Sequence, residues 1–164
     1  MAPVVVVAMG EVGRTVADGL EAHGIDYEAV EFDPDRFAAA TANGYPVAFG
    51  GPADPHFIET LRMAERAAVV VALARYEVSA ALTPLIRQRY PNVTRFIAID
   101  AGEERQRYEA LGVRVAVNHS VPRGLDLAAA VLASRGVDEA RIGVWMRRQQ
   151  ERMLSGVAAL KAVA

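Results

Sequence analysis

The chain contains no cysteine, which excludes a disulfide framework and a thiolate nucleophile and fits a reducing compartment. Its formal net charge of -2 lacks the basic excess of domains built for nucleic acid, so we expect no nucleic-acid partner. The longest apolar runs, Val4–Met9 and Ala67–Ala74, fall well short of the roughly 20 residues that a membrane-spanning helix needs. No basic stretch precedes the first valines, as it would in a signal peptide. Together these absences predict a cytoplasmic domain.

What the sequence does contain is an alternation of short β-branched runs with longer helical patterns. The runs predict strands at Val4–Ala8, Tyr27–Glu31, Pro46–Phe49, Ala68–Leu73, Arg95–Ile99 and Arg114–Val117. The patterns between them predict helices at Glu11–His23, Pro34–Asn43, Asp54–Met63, Glu77–Tyr90, Glu103–Leu111 and Pro122–Ser134. This order predicts an α/β fold: a Rossmann-like, doubly wound, parallel six-stranded sheet with helices on both faces. The tail from Asp138 adds a C-terminal helix, so we expect a Rossmann-like domain over 1–135 and a helical extension over 136–164.

Turn and cap residues support this division into elements. Asp33-Pro34 and Asp54-Pro55 are typical helix starts, with the aspartate as N-cap and the proline in the first helical position. Helix ends are predicted where glycine can adopt the left-handed conformation, at Gly24, Gly44 and Gly112.

The segment after the first strand, AMGEVG, resembles the dinucleotide fingerprint G-x-G-x-x-G with Ala8 in the first glycine position. Gly10 would let a pyrophosphate approach the backbone, and Gly13 would let the helix pack closely on the strand. The helix that begins at Glu11 presents free N–H groups to an anion. The Glu11 carboxylate would compete with a phosphate for these N–H groups, and the positive charge of Arg14 would offset that of Glu11. Alternatively, both side chains are only solvated surface groups. The alternative is a βαβ unit that keeps its small residues only for packing.

An acidic residue follows at the end of the second predicted strand. Glu31 lies about twenty residues beyond the glycine turn, where a carboxylate accepts hydrogen bonds from the ribose hydroxyls. It would also repel a 2′-phosphate, which favours NAD or an adenosine nucleotide over NADP. Asp33 is the rival for this role, but Pro34 after it favours the N-cap interpretation.

The sequence offers little for catalysis, and we expect neither a catalytic nor a metal site. His23 and His56 lie at helix ends and lack partners at metal-ligand spacing. His119 follows the last predicted strand, where ligands bind in this fold class, but we favour a structural role. An acidic group at a helix start, Asp100 with Glu103 and Glu104, is explained by the helix dipole.

The order and spacing of these motifs resemble a known family, the nucleotide-binding domains of regulators of potassium conductance (RCK, also called TrkA-N or KTN). The likeness is closest to the cytoplasmic domain of Kef-type potassium/proton antiporters and runs from about Val4 to Ser134. The segments that carry it are AMGEVG, VEFDPDRFAAATANGYPVAFGGPADPHFIETL, AAVVVALA, LTPLIRQRYPNVTRFIAI and YEALGV.

The resemblance implies a domain that binds NAD(H) or AMP/ATP, forms a homodimer, signals to a membrane potassium transporter pore and carries no chemistry. It implies a location in the cytoplasm at the inner face of the membrane. By position, the implied nucleotide-binding residues are Met9, Gly10, Glu11, Val12, Gly13, Glu31, Phe32, Asp33, Gly51, Pro52, Ala53, Ala72, Leu73 and Ala74. The family often has G-D-A-T over 50–53, so Gly51 stands in the place of its aspartate. Ala98 and Asp100 stand where Kef-type domains often have arginines. These departures predict a weaker or altered nucleotide preference.

The predicted function is therefore nucleotide sensing that gates ion flux in a potassium transport system. Two alternatives remain: a small NAD-dependent oxidoreductase, and a degenerate Rossmann domain that only dimerises.

Overall fold

The computed structural model describes residues 3–51, 54–73, 76–99, 105–116 and 122–163, with the side chains of 55, 123 and 157–163 left aside. The strands are β1 (Val4–Val7), β2 (Tyr27–Glu31), β3 (Val47–Phe49), β4 (Ala68–Val71), β5 (Thr94–Ala98) and β6 (Arg114–Ala116). The helices are α1 (Glu11–Ala22), α2 (Pro34–Ala42), α3 (Pro55–Thr60), α4 (Tyr76–Arg89), α5 (Arg105–Ala110), α6 (Arg123–Ser134) and α7 (Glu139–Val163).

The sheet has six parallel strands in the order β3-β2-β1-β4-β5-β6, which confirms the predicted doubly wound fold with its C-terminal helix. β1 lies between β2 and β4, and Val4 is in register with Tyr27 on one side and Ala68 on the other. The connections therefore leave β1 and β4 in opposite directions. A crevice opens between such strands at their carboxyl ends, where doubly wound folds bind ligands.

The core is divided between the two faces of the sheet, because side chains alternate along a strand. Val4 and Val6 pack with α1, α6 and α7, whereas Val5 and Val7 pack with the cluster that contains residues of α3 and α4. All four valines are buried, which explains an uninterrupted β-branched run in place of an alternating one.

The predicted caps are confirmed. Gly24, Gly44 and Gly112 have positive φ angles of 66°, 83° and 74° after α1, α2 and α5. The Asp33 side chain accepts hydrogen bonds from the backbone N–H groups of Asp35 and Arg36 at the start of α2.

Two predicted element ends are wrong, one by three residues and one by two. α3 ends at Thr60, because Arg62 adopts a left-handed conformation with φ 51° and a 3-10 turn follows over Met63–Glu65. β4 ends at Val71, two residues early. The apolar pattern continues past it because Leu73 packs against the cluster on the α3–α4 face.

The tail helix α7 packs onto the same core as α1 and α6. A Cβ added at Gly19 of α1 would lie 2.9 Å from the Trp145 ring, so this glycine permits the close approach of the indole. The division into a domain and a separate extension stays a prediction. Within the described ranges, no helix is both long enough and apolar enough to cross a bilayer.

Candidate functional site

A cleft of about 440 Å³ lies at the carboxyl edge of the sheet, where β1 and β4 end. Its floor is the segment between β1 and α1, and its sides come from the residue after β4 and from α2. The residues that line it are Met9, Gly10, Glu11, Val12, Arg14, Arg36, Ala39 and Ala72. The crevice predicted from the strand order therefore coincides with the predicted glycine turn.

The glycine turn is tightly built. Ala8 adopts a left-handed conformation, with φ 73°, in the position that the fingerprint assigns to glycine. A Cβ added at Gly13 would lie 1.9 Å from the Ala8 carbonyl oxygen, so only glycine fits there. At Gly10, by contrast, an added Cβ would meet nothing within 4 Å. Gly13 thus serves helix–strand packing, and the surface at Gly10 is open.

The amino end of α1 differs from those of α2 and α3. Asp33 caps α2 and Asp54 caps α3 through side-chain hydrogen bonds, whereas Gly10, the N-cap of α1, supplies no side chain. The first-turn N–H groups of a helix have no intrahelical partner and carry the positive end of its dipole. Because the start of α1 lines the cleft, the cleft presents these donors to a ligand.

The Glu31 carboxylate is fully buried and binds the protein's own backbone. Oε2 accepts a hydrogen bond from the N–H of Met9 at 2.7 Å. Oε1 accepts from the N–H groups of Phe32 at 2.8 Å and Asp33 at 2.9 Å. The carboxylate therefore joins the end of β2 to the glycine turn and is not part of the cleft lining.

Two arginines line the cleft: Arg14 from the second turn of α1 and Arg36 from the first turn of α2. Neither forms an ion pair with an acidic side chain in the part of the chain that the structure describes. Glu11 is the one carboxylate in the lining, so the charged groups of the cleft sum to a net positive charge.

The half-buried Tyr45 forms a hydrogen bond with α1 near Arg14. The Tyr45 hydroxyl donates to Asp18 Oδ1 at 2.8 Å. Burial, followed by this hydrogen bond and the charge of Asp18, raises the pKa of Tyr45 to about 12, while the charge of Arg14 opposes the shift.

The structure brings five of the predicted binding residues together in the cleft, and six others that it describes are not in the lining. Those that line it are Met9, Gly10, Glu11, Val12 and Ala72. Gly13 lies beneath the turn, Glu31 is internally bonded, and Asp33 is the N-cap of α2. Phe32, Gly51 and Leu73 are not among the lining residues. Pro52, Ala53 and Ala74 lie outside the described residues. The binding role of the whole set stays a prediction.

Sequence reasoning missed Arg36 and Ala39 as residues of the cleft. The DPDR segment predicts a helix start and includes Asp33 as an implied binding residue, but no role is predicted for Arg36. A residue in the first turn after β2 nevertheless lies beside the glycine turn, because β1 and β2 are neighbours. That signal was available in the predicted topology.

Of the other candidate groups, the structure describes only His23 and His56. His23 Nδ1 lies 2.8 Å from the Gly19 carbonyl oxygen within α1, and the side chain of His56 is exposed. His119 and the acidic group of Asp100, Glu103 and Glu104 lie outside the described residues. Among the residues that are described, no three acidic or histidine side chains are grouped so as to hold a metal ion.

Comparison with known proteins identifies relatives over most of the chain. The family described as the TrkA-N domain matches residues 4–119. K(+) efflux antiporter 2, chloroplastic, of Arabidopsis thaliana is 24% identical over 157 residues, which cover 96% of this chain and 13% of the antiporter. The chain thus spans about an eighth of the length of this curated relative.

Among solved structures, the Shewanella denitrificans Kef CTD in AMP-bound form superposes with a TM-score of 0.60 at 16% identity, covering 98% of both chains. The GsuK channel bound to NAD gives a TM-score of 0.60 at 18% identity, covering 68% of this chain and 20% of the channel chain. At these identities the likeness shows the fold.

Proposed function

The chain belongs to the TrkA-N domain family, and we propose that its cleft binds an adenine nucleotide, NAD(H) or AMP/ATP, as the sensing step of a potassium transport system. The observation that carries the proposal is the uncapped amino end of α1 in a net positive cleft at the switch point of the sheet. Free N–H donors, a helix dipole and guanidinium groups all favour the phosphates of such a ligand.

The relatives support this choice of ligand class and of role. One structural neighbour holds AMP and another NAD, and the curated relative is a potassium antiporter. The domain would act without chemistry, as a homodimer attached to or associated with a transporter at the inner face of the membrane. Gating requires that the nucleotide binds two conformations with different affinities, because equal affinity shifts no equilibrium.

Isothermal titration calorimetry with AMP, ATP, NAD and NADH tests the binding step. In the Gly10→Asp variant the new carboxylate caps the free N–H groups of α1 and repels the phosphate. We expect it to weaken nucleotide binding by about tenfold or more without loss of stability, since that position is open.

Glu11→Gln provides a test of opposite sign, because it removes the one carboxylate that lines the cleft. We expect tighter binding in this variant. Glu77→Gln is the matched control, because Glu77 also lies in the first turn of a helix but not in the cleft. Absence of heat with all four nucleotides would contradict nucleotide sensing and favour a domain that only dimerises.

A further inference from the structure

The hydrogen bonds of Glu31 bear on whether the cleft excludes a nucleotide with a ribose phosphate. In dinucleotide-binding folds, a free carboxylate at the end of the second strand accepts from the ribose hydroxyls and excludes a ribose phosphate by its charge. Here the Glu31 residue is 0% exposed, and both of its carboxylate oxygens accept hydrogen bonds from backbone N–H groups. Three backbone donors compensate its charge, and Glu31 is not among the residues that line the cleft, so its repulsion of a phosphate there is reduced.

The acid beside it is also occupied. Asp33 Oδ1 accepts from the backbone N–H groups of Asp35 and Arg36, each at 3.0 Å. A carboxylate held by these two donors is directed at the start of α2. Glu31, the last residue of β2, and Asp33, which follows the strand, thus both bind backbone N–H groups.

Arg36 lines the cleft near the end of β2, whereas Glu31 and Asp33 do not. It lies in the first turn after β2, lines the cleft and forms no ion pair with the acids that the structure describes. Ala39, one turn further along α2, also lines the cleft and has only a methyl group, which leaves space beside Arg36. Arg14 faces the same space from α1 and adds a second positive charge.

We propose that the nucleotide preferred by this cleft carries a phosphate on the ribose 2′ position, bound by Arg36. The proposal rests on the proposed function and names the subclass of adenine nucleotide. A planar guanidinium forms two parallel hydrogen bonds with a phosphate, and an arginine near the end of β2 is the group that accommodates a 2′-phosphate in this fold. Arg14 strengthens the attraction through its charge.

Calorimetric titration of the whole chain with 2′,5′-ADP and with 5′-ADP tests this preference. The two probes share the adenine, the ribose and the 5′-phosphate. We expect 2′,5′-ADP to bind about tenfold or more tightly at low ionic strength, and raised salt to reduce the difference. NADPH and NADH are expected to show the same order.

Two variants assign the preference to a residue. Arg36→Gln should bring the ratio of the two dissociation constants close to one, because it weakens the binding of 2′,5′-ADP more than that of 5′-ADP. Arg141→Gln, an exposed arginine of α7 outside the cleft, is the matched control and should keep the wild-type ratio.

The outcomes separate the two proposals. If 5′-ADP binds as tightly as 2′,5′-ADP, or more tightly, the preference is overturned and nucleotide sensing stands. A preference that persists in Arg36→Gln overturns the assignment to Arg36. If neither probe binds, the proposed function itself fails.

Discussion

The Glu31→Gln substitution is predicted to destabilise the domain, although it alters one atom. The carboxylate accepts from Met9 through one oxygen and from Phe32 and Asp33 through the other. A glutamine offers one oxygen only, so in either orientation its NH₂ group faces at least one backbone N–H. The less costly orientation leaves the Met9 N–H unpaired, and Met9 is 2% exposed, so water does not replace the lost acceptor.

The magnitude follows from this single unpaired donor. A buried donor without an acceptor costs about 1–3 kcal/mol, and the two remaining bonds weaken because their acceptor is now neutral. The lower desolvation cost of a neutral amide offsets part of this loss. We therefore expect a loss of about 2 kcal/mol, which for a chain of this length lowers the melting temperature by about 4–8 °C.

Urea unfolding followed by the fluorescence of Trp145, the single tryptophan, measures this loss. Trp145 is buried between α7 and α1, so it reports on loss of the core. Glu139→Gln, an exposed glutamate in the first turn of α7, is the control and should stay within about 0.5 kcal/mol of the wild type. A Glu31→Gln protein as stable as this control would refute the conclusion that the carboxylate holds three amides.

Two further predictions concern the glycine turn and the tyrosine beside it. Gly13→Ala should destabilise the domain by more than about 3 kcal/mol in urea unfolding, because its Cβ would overlap the Ala8 carbonyl oxygen. Gly10→Ala should leave the free energy of unfolding nearly unchanged, because that position is open. Equal losses in the two variants would contradict the packing role of Gly13. Because folding raises the pKa of Tyr45 from 10.0 to about 12, its stabilising contribution is complete below pH 10 and is lost as pH rises towards 12. The free energy of unfolding should thus fall less steeply between pH 10 and 12 in Tyr45→Phe than in the wild type, and parallel slopes would show that Tyr45 is not the group responsible.

The fold was predictable because its signals are local and repeated. The buried valines of β1, the Asp-Pro helix starts and the glycine helix ends each fix one boundary, and short crossovers leave few topologies open. Errors arose where local pattern and tertiary context differ. Arg62 adopts a left-handed conformation after α3, although no glycine or proline in the sequence indicates a helix end there. Leu73 extends the apolar run of β4 because it packs against the core, and it does not belong to the strand.

The position of the candidate site was predictable from the sequence, but the hydrogen bonding of the Glu31 carboxylate was not. The fingerprint placed Gly10 and Val12 in the cleft, because a turn after a strand leads directly to the edge of the sheet. The sequence could not reveal that Glu31 bends back onto Met9, since that choice depends on the path of the turn in space. Arg36 differs, because the predicted neighbouring of β1 and β2 already places the first turn of α2 beside the glycine turn.

The most direct test of nucleotide binding in this cleft is a ¹H–¹⁵N correlation spectrum of the chain titrated with 5′-ADP. The account predicts saturable shifts of the amides of Gly10, Glu11 and Val12, with accompanying shifts at Arg36 and Ala39. Shifts confined to the opposite edge of the sheet, in the groove lined by Tyr90, Arg95 and Gly112, or no shifts at all, would contradict it.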